Sequence, residues 1–202
     1  VKRQADFYTH KAKAHGYPAR SVYKLQEILS KYALLKKGDR VLDLGAAPGS
    51  FSQYLLERLH GSGSVLAVDL SAGLAVPRKY TNFRFIQGDI FTDSVFQEIV
   101  KGGPYDLIVS DAAPATTGNR LVDTSQSLEL ARRVLFIGTH VLAAGANLIV
   151  KIFQGGGEGE FMREIKSRFK QVKGFKPQAS RKESFETYYL GFNFKQTAAP
   201  SV

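Results

Sequence analysis

Asp43-Leu44-Gly45-Ala46-Ala47-Pro48-Gly49-Ser50-Phe51 follows a short apolar run, Arg40–Leu44, and opens a helical pattern over 51–59. A strand that turns through small residues into a helix brings free backbone N–H groups to its carboxyl edge. There a ligand can approach the main chain closely. The chemistry is that of a nucleotide or nucleoside pocket. Its glycines are four apart with Pro48 between them, unlike G-x-G-x-x-G, which argues against a pyrophosphate cradle.

The same alternation continues outward. Strands are predicted at 64–70, Phe83–Gln87, 106–110 and 147–153, with helices at 96–100 and 124–142. Val65-Leu66-Ala67-Val68 and Leu107-Ile108-Val109 are continuous apolar runs, as expected of parallel strands buried on both faces. Ahead of this block, Val22, Leu25, Ile28, Leu29 and Tyr32 form one stripe of a helix over 21–35. Beyond it, a helix over 161–169 precedes strands at 172–176 and 185–194, whose short connection predicts an antiparallel ending. The fold class is α/β: a Rossmann-like, mostly parallel sheet with an antiparallel C-terminal strand and helices on both faces. No internal repeat or low-complexity tract interrupts it.

Four carboxylates fall where such a sheet binds its ligands. Asp43, Asp69, Asp89 and Asp111 each close a predicted strand. Asp69 lies about twenty residues after the glycine turn, the spacing at which an acid accepts hydrogen bonds from ribose hydroxyls. Taken singly, Asp69 and Asp89 each have the plainer alternative of a turn former or helix cap. Lys151 interrupts the apolar run Ile149-Val150-Lys151-Ile152-Phe153, where an unpaired ammonium is costly, so it needs solvent or a partner. Asp111 on the neighbouring strand is one candidate, and Glu186, among the aromatics of Ser184-Phe185-Glu186-Thr187-Tyr188, is another carboxylate.

The 202 residues suffice for one domain with its own core. That domain is expected to comprise a basic extension and helix over 1–38, a core over 39–195 and a frayed tail over 196–202. Val1 stands where an initiator Met is expected, so the natural N-terminus is read as trimmed or omitted. The absence of cysteine excludes thiolate catalysis, iron–sulfur clusters and Cys-type zinc sites, and no metal is expected. No apolar run approaches the ~20 residues that span a bilayer. The net charge of +10 is uneven. Residues 1–40 hold 10 basic and 3 acidic side chains, 41–160 hold 9 and 12, and 161–202 hold 9 and 3. Two basic ends around a mildly acidic middle form an electrostatic footprint for a polyanion.

Five motifs stand together in order: Gly16-Tyr17-Pro18-Ala19-Arg20-Ser21-Val22-Tyr23-Lys24-Leu25, the glycine turn, Ser110-Asp111-Ala112-Ala113-Pro114, Val150-Lys151-Ile152-Phe153-Gln154-Gly155 and Ser184-Phe185-Glu186-Thr187-Tyr188. The combination resembles the RrmJ/FtsJ family of ribose 2′-O-methyltransferases over nearly the whole chain. The resemblance implies a class I methyltransferase sandwich with a seven-stranded sheet, S-adenosylmethionine as cofactor, and a catalytic tetrad of Lys24, Asp111, Lys151 and Glu186. It also implies that Gly45, Gly49 and Phe51 line the cofactor, that Asp69 holds its ribose, that Asp89 reads its adenine amino group and that Asp111 lies near its methionine. Ser50-Phe51 stands where bacterial members usually carry Gly-Trp, and Pro18-Ala19-Arg20 replaces the more usual Arg-Ser-Arg.

A ribose 2′-hydroxyl as target implies RNA and not DNA. The expected substrate is a uridine of large-subunit ribosomal RNA, with transfer RNA and messenger caps as alternatives. Lys11, Lys13 and Arg20, with Lys2 and Arg3, would hold phosphate, and Tyr8 and Tyr17 would stack on bases. Lys166, Arg168, Lys170, Lys173 and Lys176 extend this surface if they fold to the same side. A cytoplasmic monomer without membrane contact completes the expectation. Two other classes stay open at this stage: an NAD-dependent oxidoreductase, from the turn and Asp69, and a non-catalytic RNA-binding module for ribosome assembly.

Overall fold

The computed structural model describes residues 7–180 and 184–196. Lys2, Arg3 and residues 197–202 of the expected tail lie outside them. In chain order the elements are α1 (Phe7–Ala14), α2 (Val22–Lys31), β1 (Arg40–Leu44), α3 (Ser50–Leu59), β2 (Ser64–Asp69), β3 (Phe83–Gln87), α4 (Asp93–Gly102), β4 (Tyr105–Ser110), α5 (Arg120–Val141), β5 (Leu142–Phe153), α6 (Glu158–Arg168), β6 (Phe169–Phe175) and β7 (Glu186–Phe194). They build a seven-stranded sheet in the order β3-β2-β1-β4-β5-β7-β6. β7 runs antiparallel to both of its neighbours, while the pairs from β3 through β5 are parallel.

The alternation of side chains along a strand explains why these strands are apolar throughout. On one face Leu42, Leu66, Ile108 and Leu148 join a core with Ile99 of α4, Val134 of α5 and Phe161 of α6. On the other Val41, Val65, Leu107 and Ile149 meet Leu25 and Ile28 of α2 and Leu55 and Leu59 of α3. The N-terminal helices thus share a core with the sheet, and Ala12 of α1 is buried in the same cluster.

The differences from the expected elements have local causes. α2 ends at Lys31 because Tyr32 turns extended (φ −132°, ψ 131°), which sends its ring against Phe175 and Phe192. α5 starts at Arg120, four residues early, because the Asn119 side chain accepts from the N–H groups of Leu121 and Val122. β5 begins directly after α5 at Leu142, and β6 begins at Phe169, whose buried ring suits a helix end or a strand start equally. Among the described residues no helix is long and apolar enough to cross a membrane, and no group of three or more His, Cys, Asp or Glu is placed to hold a metal ion.

Candidate active site

β1, β2, β3 and β4 deliver their carboxylates to one edge of the sheet, where the glycine turn closes over them. Gly45 (φ +76°) and Gly49 (φ +108°) both occupy the left-handed region that favours glycine. At Gly45 space forbids a side chain as well: a Cβ would stand 2.5 Å from the Ala112 Cα. Asp69 ties the turn to β2, accepting from the Ala47 N–H at 2.9 Å and the Ser71 N–H at 2.7 Å. Asp89 accepts from the Phe91 N–H at 2.9 Å, which fixes its carboxylate at the edge.

Gly45, Asp69, Asp89 and Asp111 line a cleft of about 580 Å³, with Val68, Ile90 and Leu130 supplying apolar surface. Carboxylate acceptors for hydroxyl and amino groups around an apolar slot fit a nucleoside carrying a cationic tail, so the donor set suits S-adenosylmethionine. Gly49 and Phe51 stand outside this lining, at the start of α3. The Phe51 ring is 3% exposed and packs into the core beneath α3. What this helix start can offer a ligand is its main chain, because first-turn N–H groups lack intrahelical partners.

Where the cleft reaches Asp111 it meets two ion pairs. Lys151 Nζ lies 2.7 Å from Asp111 Oδ1 and 2.5 Å from the Asp111 carbonyl oxygen. Lys24 Nζ of α2 lies 2.6 Å from Glu186 Oε1 of β7. The antiparallel register sets Lys151 opposite Tyr188 and Phe153 opposite Glu186, so Lys151 and Glu186 project from the same face of adjacent strands. Lys24, Asp111, Lys151 and Glu186, drawn from α2, the loop just after β4, β5 and β7, thereby form one mostly buried group of two cations and two anions. Pairing makes that burial tolerable.

Tyr188 is a member that sequence reasoning missed. Its hydroxyl donates to Asp111 Oδ1 at 2.6 Å. Burial, with Asp111 and Glu186 nearby, pushes its phenol well above the ordinary value, so it remains a donor. The signal available was its two-residue spacing from Glu186 on one strand, which puts both on the same face. Burial pushes the Asp111 carboxyl up, but Lys151, Lys24 and the Tyr188 hydroxyl outweigh it and hold Asp111 below the usual range. Asp111 is an anion held by hydrogen bonds from Lys151 and Tyr188 and by the more distant charge of Lys24.

The basic residues divide. Lys13 is exposed on α1, whereas Lys11 sits 4.9 Å above the Tyr23 ring. Arg20 donates to the Ala179 carbonyl and lies over Tyr8, so it also fastens the N-terminal helices to the segment before β7. Tyr17, expected to stack on bases, instead donates its hydroxyl to Glu57 of α3. Of the C-terminal cluster, Lys173 reaches the α2 side, 5.0 Å above Tyr32, and Lys170 is exposed on β6.

The chain is 50% identical over 190 residues to a ribosomal RNA large subunit methyltransferase E of Borreliella afzelii (strain PKo), covering 94% of this chain and 98% of that one. It is 44% identical over 192 residues to the protein of that name from Treponema denticola, with 95% and 96% covered. Its structure is similar to the crystal structure of a ribosomal RNA methyltransferase from Plasmodium falciparum, with a TM-score of 0.77 at 30% identity over 88% of this chain and 98% of that one. The model of the FtsJ-like methyltransferase family matches residues 17–194, and the chain belongs to that family.

Proposed function

We propose that the protein transfers a methyl group to a ribose 2′-hydroxyl of large-subunit ribosomal RNA. The observation that carries the reading is the contact of Lys151 with Asp111, because Asp111 belongs to both the cofactor cleft and the paired-charge cluster. A group bound along the cleft would present its reactive end to the lysine. S-adenosylmethionine supplies an electrophilic methyl group there. Gly45, Asp69 and Asp89 hold the nucleoside part, with Phe51 contributing its main-chain N–H while the Gly49 N–H closes the turn onto the Ala46 carbonyl.

Transfer to an oxygen needs alignment and a more negative nucleophile. Lys151 takes the 2′-hydroxyl proton as general base. Asp111 orients it, Tyr188 fixes Asp111, and the Lys24–Glu186 pair places the ribose. One observation favours a second role for Lys151, as a cation facing the developing alkoxide. Two of an ammonium's three N–H groups are taken by Asp111, which leaves one for the oxygen. Substantial activity in Lys151→Arg, with no titration in the pH–rate profile lost with the lysine, would select this second role.

The relatives' names support ribosomal RNA as substrate, and Lys11, Lys13 and Arg20 supply positive charge on the N-terminal part of the chain. We extend the reading to a monomer with one catalytic domain, a site complete without residues of a second copy, and to the cytoplasm from the ribosomal substrate that the relatives' names give. The test uses labelled S-adenosylmethionine with unmethylated large ribosomal subunits, followed by mapping of the methylated nucleotide. Lys151→Ala should lose about 10²–10⁴-fold in rate, with cofactor affinity within twofold of wild type. Equal labelling by both proteins would overturn the assignment, and thermal stabilisation by NADH but not by S-adenosylmethionine would return the oxidoreductase reading.

A further inference from the structure

The rim beside the paired charges carries side chains that folding does not explain. Leu121 and Val122, in the first turn of α5, are 74% and 40% exposed. The Asn119 side chain already caps that turn, so the exposed aliphatic groups are not needed to build it. Arg120, next to them, places its guanidinium 5.4 Å from the centre of the Phe185 ring and donates to the Gln154 carbonyl at 3.3 Å. Phe185 in turn packs edge-on against Phe153, with ring centres 4.8 Å apart. Both rings are half-buried.

The position of this stack follows from the strands that carry the chemistry. Phe153 is two residues beyond Lys151 on β5, on the same face and about 7 Å further along. Phe185 immediately precedes Glu186, and Phe153 lies opposite Glu186 in register. The strand ends that deliver Lys151 and Glu186 therefore also deliver a pair of rings, with a guanidinium laid over one of them. Gly155 presses against this arrangement: a Cβ there would meet Thr124 Oγ1 at 2.8 Å and Arg120 Nε at 3.5 Å. Glu158, which faces Arg120 electrostatically, is occupied by the N–H groups of Gly155 and Gly156.

We infer that Arg120, Phe185 and Phe153 form a stacking subsite for the base of the RNA nucleotide whose ribose enters the Lys24–Asp111–Lys151–Glu186 cluster. The inference rests on the proposed 2′-O-methylation. A ribose cannot reach a buried lysine while its base remains stacked within the RNA, so the displaced base needs a new planar partner. Aromatic rings and the flat guanidinium provide one without reading base identity.

The experiment measures methylation kinetics on large-subunit ribosomal RNA for Phe185→Ala, Arg120→Ala, Arg120→Lys and Phe185→Tyr, with Lys151→Ala in parallel. Phe185→Ala and Arg120→Ala should lower kcat/KM for RNA at least about fivefold, while cofactor affinity by titration stays at the wild-type value and certifies the fold. Arg120→Lys should resemble Arg120→Ala, because it keeps charge and loses the plane, and Phe185→Tyr should restore activity. RNA kinetics within twofold of wild type in both alanine variants would overturn the subsite, as would full rescue by Arg120→Lys. If Lys151→Ala is inactive while the ring variants are normal, this inference alone fails. If Lys151→Ala is fully active, the failure lies in the underlying reading.

Discussion

Asp43 is fully buried beneath the glycine turn, and its two oxygens fare differently. Oδ2 accepts from the Ser52 hydroxyl at 2.6 Å, while Oδ1 has no partner among the described residues. Burial pushes its carboxyl from 3.8 up to about 7; Ser52 opposes this, and Asp111 and Asp69 add to it. The folded protein therefore holds a proton that the unfolded chain has released between about pH 4 and pH 7, and in this window stability falls as pH rises. Above about pH 7 the loss is complete, on the order of a few kcal/mol. An asparagine in place of Asp43 would keep the shape and abolish the titration. Urea unfolding between pH 5 and 8 should show Asp43→Asn gaining stability relative to wild type as pH rises. Parallel profiles for the two proteins would show that Asp43 does not hold the proton.

At the scale of elements, the turn between β1 and α3 is the joint on which the cleft depends. Gly45→Ala combines a disfavoured φ of +76° with a Cβ only 2.5 Å from the Ala112 main chain, so the ends of β1 and β4 must separate. A cost of roughly 2–3 kcal/mol corresponds to a Tm lower by about 5–10 °C, together with weaker S-adenosylmethionine binding. Calorimetry and cofactor titration read both, and an unchanged Tm would mean that the joint yields freely. This turn was legible in the sequence because glycine, proline and a strand's apolar run each punctuate the chain locally. So were Lys151 and Glu186, whose charges interrupt apolar strands. The insertion of β7 between β5 and β6 was not legible, since pairing partners are a tertiary choice among similar strands. Nor was α1, an eight-residue helix held by the packing of Ala12 and Tyr8 rather than by a strong stripe. Phe51 carried an aromatic at a motif position, but nothing local decided that its ring would point into the core.

For the whole molecule, the +10 charge acts on the two ligands in different ways. The cofactor cleft is bordered by carboxylates of the mildly acidic middle segment, and its contacts are short-range and partly enclosed. Salt should therefore change S-adenosylmethionine affinity little. The proposed function assigns the RNA to the basic ends, where Lys13 is exposed and Lys173 approaches α2 from β6. Each phosphate neutralised releases counterions, so four to six such contacts predict an affinity loss on the order of 10²–10³-fold between 50 and 200 mM salt. Lys11→Ala combined with Lys13→Ala should flatten the log–log slope by about two and weaken binding alike for every RNA sequence. Arg20 is a poorer probe, because removing it also unfastens the Ala179 carbonyl and mixes folding with binding. Filter binding across a salt series separates these effects. A salt-independent RNA affinity, or a slope unchanged in the double variant, would move the RNA path away from α1 and leave the basic ends as a solvated coat.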